Sequence, residues 1–203
     1  MKPLRLSIIL ALLLVPALVW AAPDGPGTKA VKSANDTISG LLKQKAAPGS
    51  DEEKKLAAKV TTSVRDVLDV DELGKRALVD HWKDIPAAKQ KELLDTLRAL
   101  LEDNYVKGLR ANLEYTVDYT GESTQKDNSV LVTTVVKSKR KGRPVEFHID
   151  YVLTNVNGKL KVYDMNTDGV GLVENYRAQF NKIIAKDGVD GLIAKMKKKR
   201  EQG

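Results

Sequence analysis

The chain has 203 residues and no cysteine, and 34 basic against 27 acidic side chains leave it a net charge of +7. The lack of cysteine excludes disulfides, thiolate nucleophiles, cysteine-bearing metal sites and a lipid-modified amino-terminal cysteine. A basic balance suits contact with anionic lipid, although acids scattered among the bases also serve solubility.

The first residues combine a positive start at Lys2 and Arg5, an apolar run from Leu6 to Val19, and small residues at Ala21 and Ala22. That pattern predicts a secretory signal peptide cleaved after Ala21. The run contains Pro16 and falls short of the roughly 20 residues that span a bilayer. The mature chain, residues 22–203, keeps 182 residues and a net charge of +5, and is expected to be one exported domain in the periplasm.

From Pro23 to Thr28 the composition is that of a flexible lead-in, and structure is expected from about Thr28. Val31, Ala34, Ile38, Leu41 and Leu42 recur at helical spacing up to Ala46-Ala47-Pro48-Gly49. Ser50-Asp51-Glu52-Glu53 reads as a capping box that opens a second helix with Leu56, Val60, Val64 and Val67 inward. Asp69-Val70-Asp71-Glu72-Leu73 is a break and restart, capped by Asp69 or Asp71. Pro86 suits the first turn of the next helix, where Leu93, Leu94, Leu97, Leu100, Leu101 and Tyr105 form the chain's strongest amphipathic stripe.

After Gly108 the period changes to two. Leu113, Tyr115, Val117 and Tyr119 alternate with polar residues, Val130 to Val136 follows, and Pro144 to Val156 carries Phe147, Ile149, Tyr151 and Leu153 in register. Asn157-Gly158 is a tight-turn signal leading into Lys159 to Met165. Four strands in succession, with no helix between them, imply an antiparallel meander covered by helices. Leu172, Tyr176, Phe180, Ile183 and Ile184 restore the helical stripe, Asp187-Gly188 is a stop, and a short helix precedes a basic tail from Lys195 to Arg200. The predicted architecture is α+β: a helical part at 28–108, a sheet at 111–168 and carboxyl-terminal helices at 170–200.

Enzyme motifs are scarce. His81 and His148 lie on different elements, there is no Gly-x-Ser-x-Gly elbow or phosphate loop, and Gly169-Val170-Gly171 lacks the third glycine of a dinucleotide fingerprint. No catalytic constellation, metal site or cofactor is expected, and the chain reads as a non-enzyme. The stripes Tyr115, Val117, Tyr119 and Phe147, Ile149, Tyr151 fit either an ordinary core or a dry ligand wall. The basic runs at 137–143 and 195–200 fit solvated surface or contact with anionic headgroups, and nucleic acid is not an expected partner of an exported protein.

The run Tyr163-Asp164-Met165, Asp168-Gly169-Val170, Leu172-Val173, Asn175-Tyr176-Arg177, Gln179-Phe180 and Gly188-Val189-Asp190-Gly191-Leu192 resembles the carboxyl-terminal signature of the MlaC, or toluene-tolerance auxiliary, family. Asp69 to Leu73, Ala77-Leu78, Trp82, Gln90, Leu93 and Tyr105 resemble its helical half. The resemblance implies an NTF2-like domain, with helices on one face of a curved four-stranded antiparallel sheet and phospholipid tails held between the layers. It further implies a monomeric periplasmic carrier that moves phospholipid between an outer-membrane lipoprotein complex and an inner-membrane ABC transporter with its MCE-domain subunit, maintaining outer-membrane asymmetry. On that reading the candidate lipid wall is Trp82, Leu97, Leu101, Tyr105, Val117, Tyr119, Phe147, Ile149, Tyr151, Tyr176 and Phe180. Alternatives are another cargo such as a hopanoid, or an envelope interaction module without ligand. The sequence departs from the pattern at Gly171, where serine is expected, and at Asn166-Thr167. The basic loop at 137–143 and the basic tail are not part of it.

Overall fold

The computed structural model describes residues 25–47, 49–111, 115–140 and 142–202, with side chains described except at 104–111, 140 and 202. The expected leader, residues 1–21, lies outside the described residues. Helices α1 (Pro26–Leu42), α2 (Asp51–Val67), α3 (Val70–Ala77) and α4 (Ala87–Ala111) come first, with a single 3₁₀ turn at Trp82–Asp84 before α4. Strands β1 (Tyr115–Thr124), β2 (Val130–Arg140), β3 (Arg143–Val156), β4 (Lys159–Thr167) and β5 (Val170–Gly171) pair antiparallel in that order, and α5 (Leu172–Gln202) closes the chain.

Local chemistry accounts for most of the boundaries. The Ser50 hydroxyl accepts from the Glu53 amide at 3.1 Å while Glu53 reaches back to the Gly49 amide at 2.7 Å. Asp69 caps α3 through the Glu72 amide. Asn157 (φ 52°) and Gly158 (φ 84°) both sit in the left-handed region, as a two-residue hairpin turn requires. Gly188 breaks α5 with φ 68° at the expected stop, and the expected second helical stretch follows it. The basic tail is helical, and Lys197 pairs with Glu92 at 2.8 Å and Arg200 with Asp103 at 3.0 Å, docking the end of α5 on α4. The fifth strand, one more than expected, is the two-residue β5, too short to leave an alternating pattern.

A bulge in β4 opposes Val152-Leu153. It directs Val162 to one side, against Val31, Val132 and Leu153, and Tyr163 to the other, into a helical core with Leu73, Leu78, Leu97 and Phe180. Helices thus reach β4 on both sides, with α1 over one face and α3 and α5 against the other. Leu68 packs on both cores and on the α1–α2 cluster of Ile38, Val60 and Val64. The Arg65 guanidinium grips the buried Glu102 carboxylate with two bonds, at 2.7 and 2.8 Å, fixing α2 to α4.

One contact positions α1 on the sheet. Glu122, 7% exposed on β1, accepts from the backbone amides of Gly27 (3.1 Å) and Thr28 (2.7 Å), two donors that the first turn of a helix cannot satisfy itself. A methyl group on Gly27 would stand 2.6 Å from Val130, so glycine lets α1 lie this close to β2. Replacing Glu122 by Ala strands both buried amides and is expected to cost about 1–3 kcal/mol in urea unfolding. Hydrogen exchange at Gly27 and Thr28 is expected to speed up before exchange elsewhere; unchanged exchange there would mean that α1 is held by its apolar face alone.

Candidate functional site

The face of the sheet that carries α1 is built in rungs. Leu153 and Val162 are followed by Val132, Tyr151 and Met165, then Tyr119, Thr134 and Ile149, then Val117, Val136 and Phe147, and last Tyr115, Ser138 and Val145. Alternation puts all of these side chains on one side, and the Tyr115 hydroxyl bonding Asn35 of α1 at 2.9 Å places that side toward the helix. Val132, Thr134 and Val136 of β2 are buried along this face, as are Leu153 and Val162, whereas Val117 and Tyr119 of β1 and Phe147, Ile149 and Tyr151 of β3 are partly buried. Partly covered apolar side chains flanking a buried central strand fit an ordinary sheet face as well as a wall for an apolar ligand.

Beside the covered end lies a partly open hollow of about 280 Å³ between α1, α2 and the β3–β4 hairpin. Val31, Val67, Leu153, Leu160 and Val162 supply apolar wall, Ala30, Ser33, Ala34 and Thr37 give α1 a small-residue lining, and Ser63 and Asp66 add polar groups from α2. Its size approaches the lower end of ligand pockets. A second, dry hollow of about 30 Å³ sits where Leu101, Met165, Tyr163 and Leu172 meet, with room for about one water molecule.

The sequence-predicted wall separates into two groups. Val117, Tyr119, Phe147, Ile149 and Tyr151 stand together on the α1-facing side of the sheet. Trp82, Leu97, Leu101, Tyr176 and Phe180 belong to the helical core, where the Tyr176 and Phe180 rings pack 5.3 Å apart. Leu101 borders the 30 Å³ hollow. Tyr105 is on α4, with its side chain outside the described residues. Sequence reasoning missed the lining of the 280 Å³ hollow, whose signal was the row of small residues Ala30, Ser33, Ala34 and Thr37 along one face of α1.

Burial shifts two titratable groups near this region. Burial pushes the Asp150 carboxyl up from its usual range, with His148 pulling the other way, but alternation sets Asp150 on the outer face of β3. Burial also raises the Tyr176 phenol, which lies within the helical core. Neither lines a hollow. Among the described residues no group of three His, Asp or Glu side chains comes together as a metal site, and no helix is long and apolar enough to cross a membrane.

Comparison with known proteins decides the family. The model of the family described as MlaC protein matches residues 32–198. The chain belongs to the MlaC family. A curated relative from Haemophilus influenzae, the intermembrane phospholipid transport system binding protein MlaC, is 26% identical over 130 residues, which are 64% of this chain and 61% of that protein. The match therefore spans less than two thirds of the relative's length. A solved structure of a phospholipid-binding protein from Ralstonia solanacearum, in complex with a phospholipid, superposes with a TM-score of 0.70 at 25% identity, covering 88% of this chain and 98% of that one.

The MlaC signature residues can now be given physical roles, and several are structural. Asp164 accepts from the Val173 amide at 2.9 Å and so caps α5. Tyr163 carries the Arg76 guanidinium 4.3 Å above its ring, and Arg177 donates two bonds to the Arg76 carbonyl. Gln90 bonds the Trp82 carbonyl at 2.8 Å. Together they fasten the helical half to β4 and to itself.

Proposed function

We propose that the protein is an exported carrier which takes a phospholipid's acyl chains against the α1-facing side of the sheet and moves the lipid across the periplasm between the two membranes. The observation that supports this reading is the partly covered apolar side chains of Val117, Phe147 and Ile149 on the α1-facing side of the sheet, in a chain whose structural relative was solved with a phospholipid. Each buried methylene is worth about 0.8 kcal/mol, so burying two acyl chains against the protein offsets much of what taking them from a bilayer into water would cost. A carrier of this kind needs a pocket and no catalyst, and it operates as a monomer, without cofactor, as the single mature domain 22–203 left when the signal peptide is removed. Its partners in this reading are the outer-membrane lipoprotein complex and the inner-membrane ABC transporter with its MCE-domain subunit, and its work maintains outer-membrane lipid asymmetry.

The interaction-module alternative calls for a contiguous exposed apolar patch. Among the described residues the large apolar side chains left exposed are Val79, in the turn after α3, and Val170, on β5, which are single and far apart in sequence. Transfer from labelled donor vesicles to unlabelled acceptors tests the carrier. The mature protein is expected to raise the rate of phospholipid exchange in proportion to its concentration; a rate equal to spontaneous exchange would refute the proposal.

A further inference from the structure

The β2–β3 hairpin extends past its neighbours. Among the described residues β1 pairs with β2 no further than Ser138, and β4 pairs with β3 no further than Ile149. The last two pairs of the hairpin, Lys139 with Pro144 and Arg140 with Arg143, therefore form a ribbon with no third strand beside it. Its tip reads Lys139-Arg140-Lys141-Gly142-Arg143, four bases in five residues with no acid and no apolar or aromatic side chain. Lys139 and Arg143 are exposed and take no ion pair among the described residues. Acids first appear further back, where Asp118 takes Lys137 at 2.8 Å and Glu146 stands opposite that lysine. Alternation sets Lys139 on the outer face of the sheet and Arg143 on the α1-facing side, so the charge belongs to the end of the ribbon rather than to one face.

We infer that the β2–β3 hairpin docks the protein end-on to an anionic membrane surface. Bases that straddle a ribbon reach a flat surface together only through its end, and a bilayer of anionic lipid is such a surface. A protein partner would call for apolar or aromatic anchors to fill its pockets, and the tip has none. Attraction to a charged bilayer needs only summed charge, about fivefold in partitioning for each base near the surface, and it weakens as salt rises. Two rungs back from the tip, on the α1-facing side, stand Val117, Val136 and Phe147, so docking brings that end of the apolar side of the sheet to the membrane. The docking does not depend on the carrier reading; on that reading it is the approach from which lipid is exchanged.

The test sediments the mature protein at low salt with vesicles rich in phosphatidylglycerol and with vesicles of phosphatidylcholine alone. Binding to the anionic vesicles is expected to be at least about tenfold tighter, and to fall by about tenfold or more in the Lys139→Gln/Arg140→Gln/Lys141→Gln/Arg143→Gln variant. It is expected to persist in the charge-matched Lys55→Gln/Lys59→Gln/Lys198→Gln/Lys199→Gln variant, which removes bases from α2 and the carboxyl-terminal tail, with the circular dichroism of both variants unchanged. Equal binding to the two kinds of vesicle, or equal loss in the two variants, overturns the docking. Retention on polyaspartate beads without binding to the anionic vesicles assigns the hairpin to an acidic protein and overturns it as well. Phospholipid exchange, measured separately, tests the carrier reading: a protein that docks through the hairpin but exchanges no lipid leaves the docking standing and refutes the carrier.

Discussion

Ile149→Glu is expected to lower phospholipid occupancy more than tenfold while leaving the unfolding midpoint of the lipid-free protein nearly unchanged. Ile149 is half-buried on the rung between Tyr151 and Phe147, and its own carbonyl is already engaged by the Thr134 hydroxyl at 2.7 Å. Without lipid, a carboxylate there keeps access to water. With acyl chains laid against the sheet it becomes an unpaired charge in hydrocarbon, which costs several kcal/mol, and each 1.4 kcal/mol is a factor of ten in affinity. Lipid retained at wild-type stoichiometry by a folded Ile149→Glu protein would move the acyl wall elsewhere.

Leu97→Ala is expected to do the reverse. Leu97 is 0% exposed within the helical core, packed among residues of α3, α4 and α5. Truncation leaves a cavity that rigid neighbours fill poorly, costing about 2–5 kcal/mol, or very roughly 5–15 °C in melting temperature for a chain of this size. Lipid binding by the fraction that remains folded is expected to hold, because this core lies away from the α1-facing wall. A Leu97→Ala protein of unchanged stability that accepted longer acyl chains would place the helical core in the ligand cavity.

The contrast between these two positions explains how far the sequence was legible. Both belong to clear apolar stripes, one of period 3.6 and one of period two, and periodicity reports which way a side chain points, not whether anything covers it. Trp82, Leu97, Tyr176 and Phe180 therefore looked the same as Val117, Phe147 and Ile149, although the first group is packed on helices and the last three are half-covered. Short-range devices were readable: the Ser50 capping box, the Asn157-Gly158 turn and the Gly188 break are each decided by a few neighbouring residues. Contacts between distant segments were not. Nothing near Glu122 announces that it will cap a helix some 95 residues earlier, and nothing near Lys197 or Arg200 announces the acids of α4 on which the tail docks. Tyr163 and Asp164 were visible as a family signature, but their work, turning β4 through a bulge and starting α5, appears only when the strand is paired.

The carrier reading is tested most directly by what the protein holds when it is isolated from the periplasm. Native mass spectrometry and lipid extraction on the mature protein, purified from a bacterial periplasm without detergent, are expected to find close to one diacyl phospholipid per chain. A well-folded protein that emerges empty, and that stays empty after incubation with phospholipid vesicles, would contradict the account.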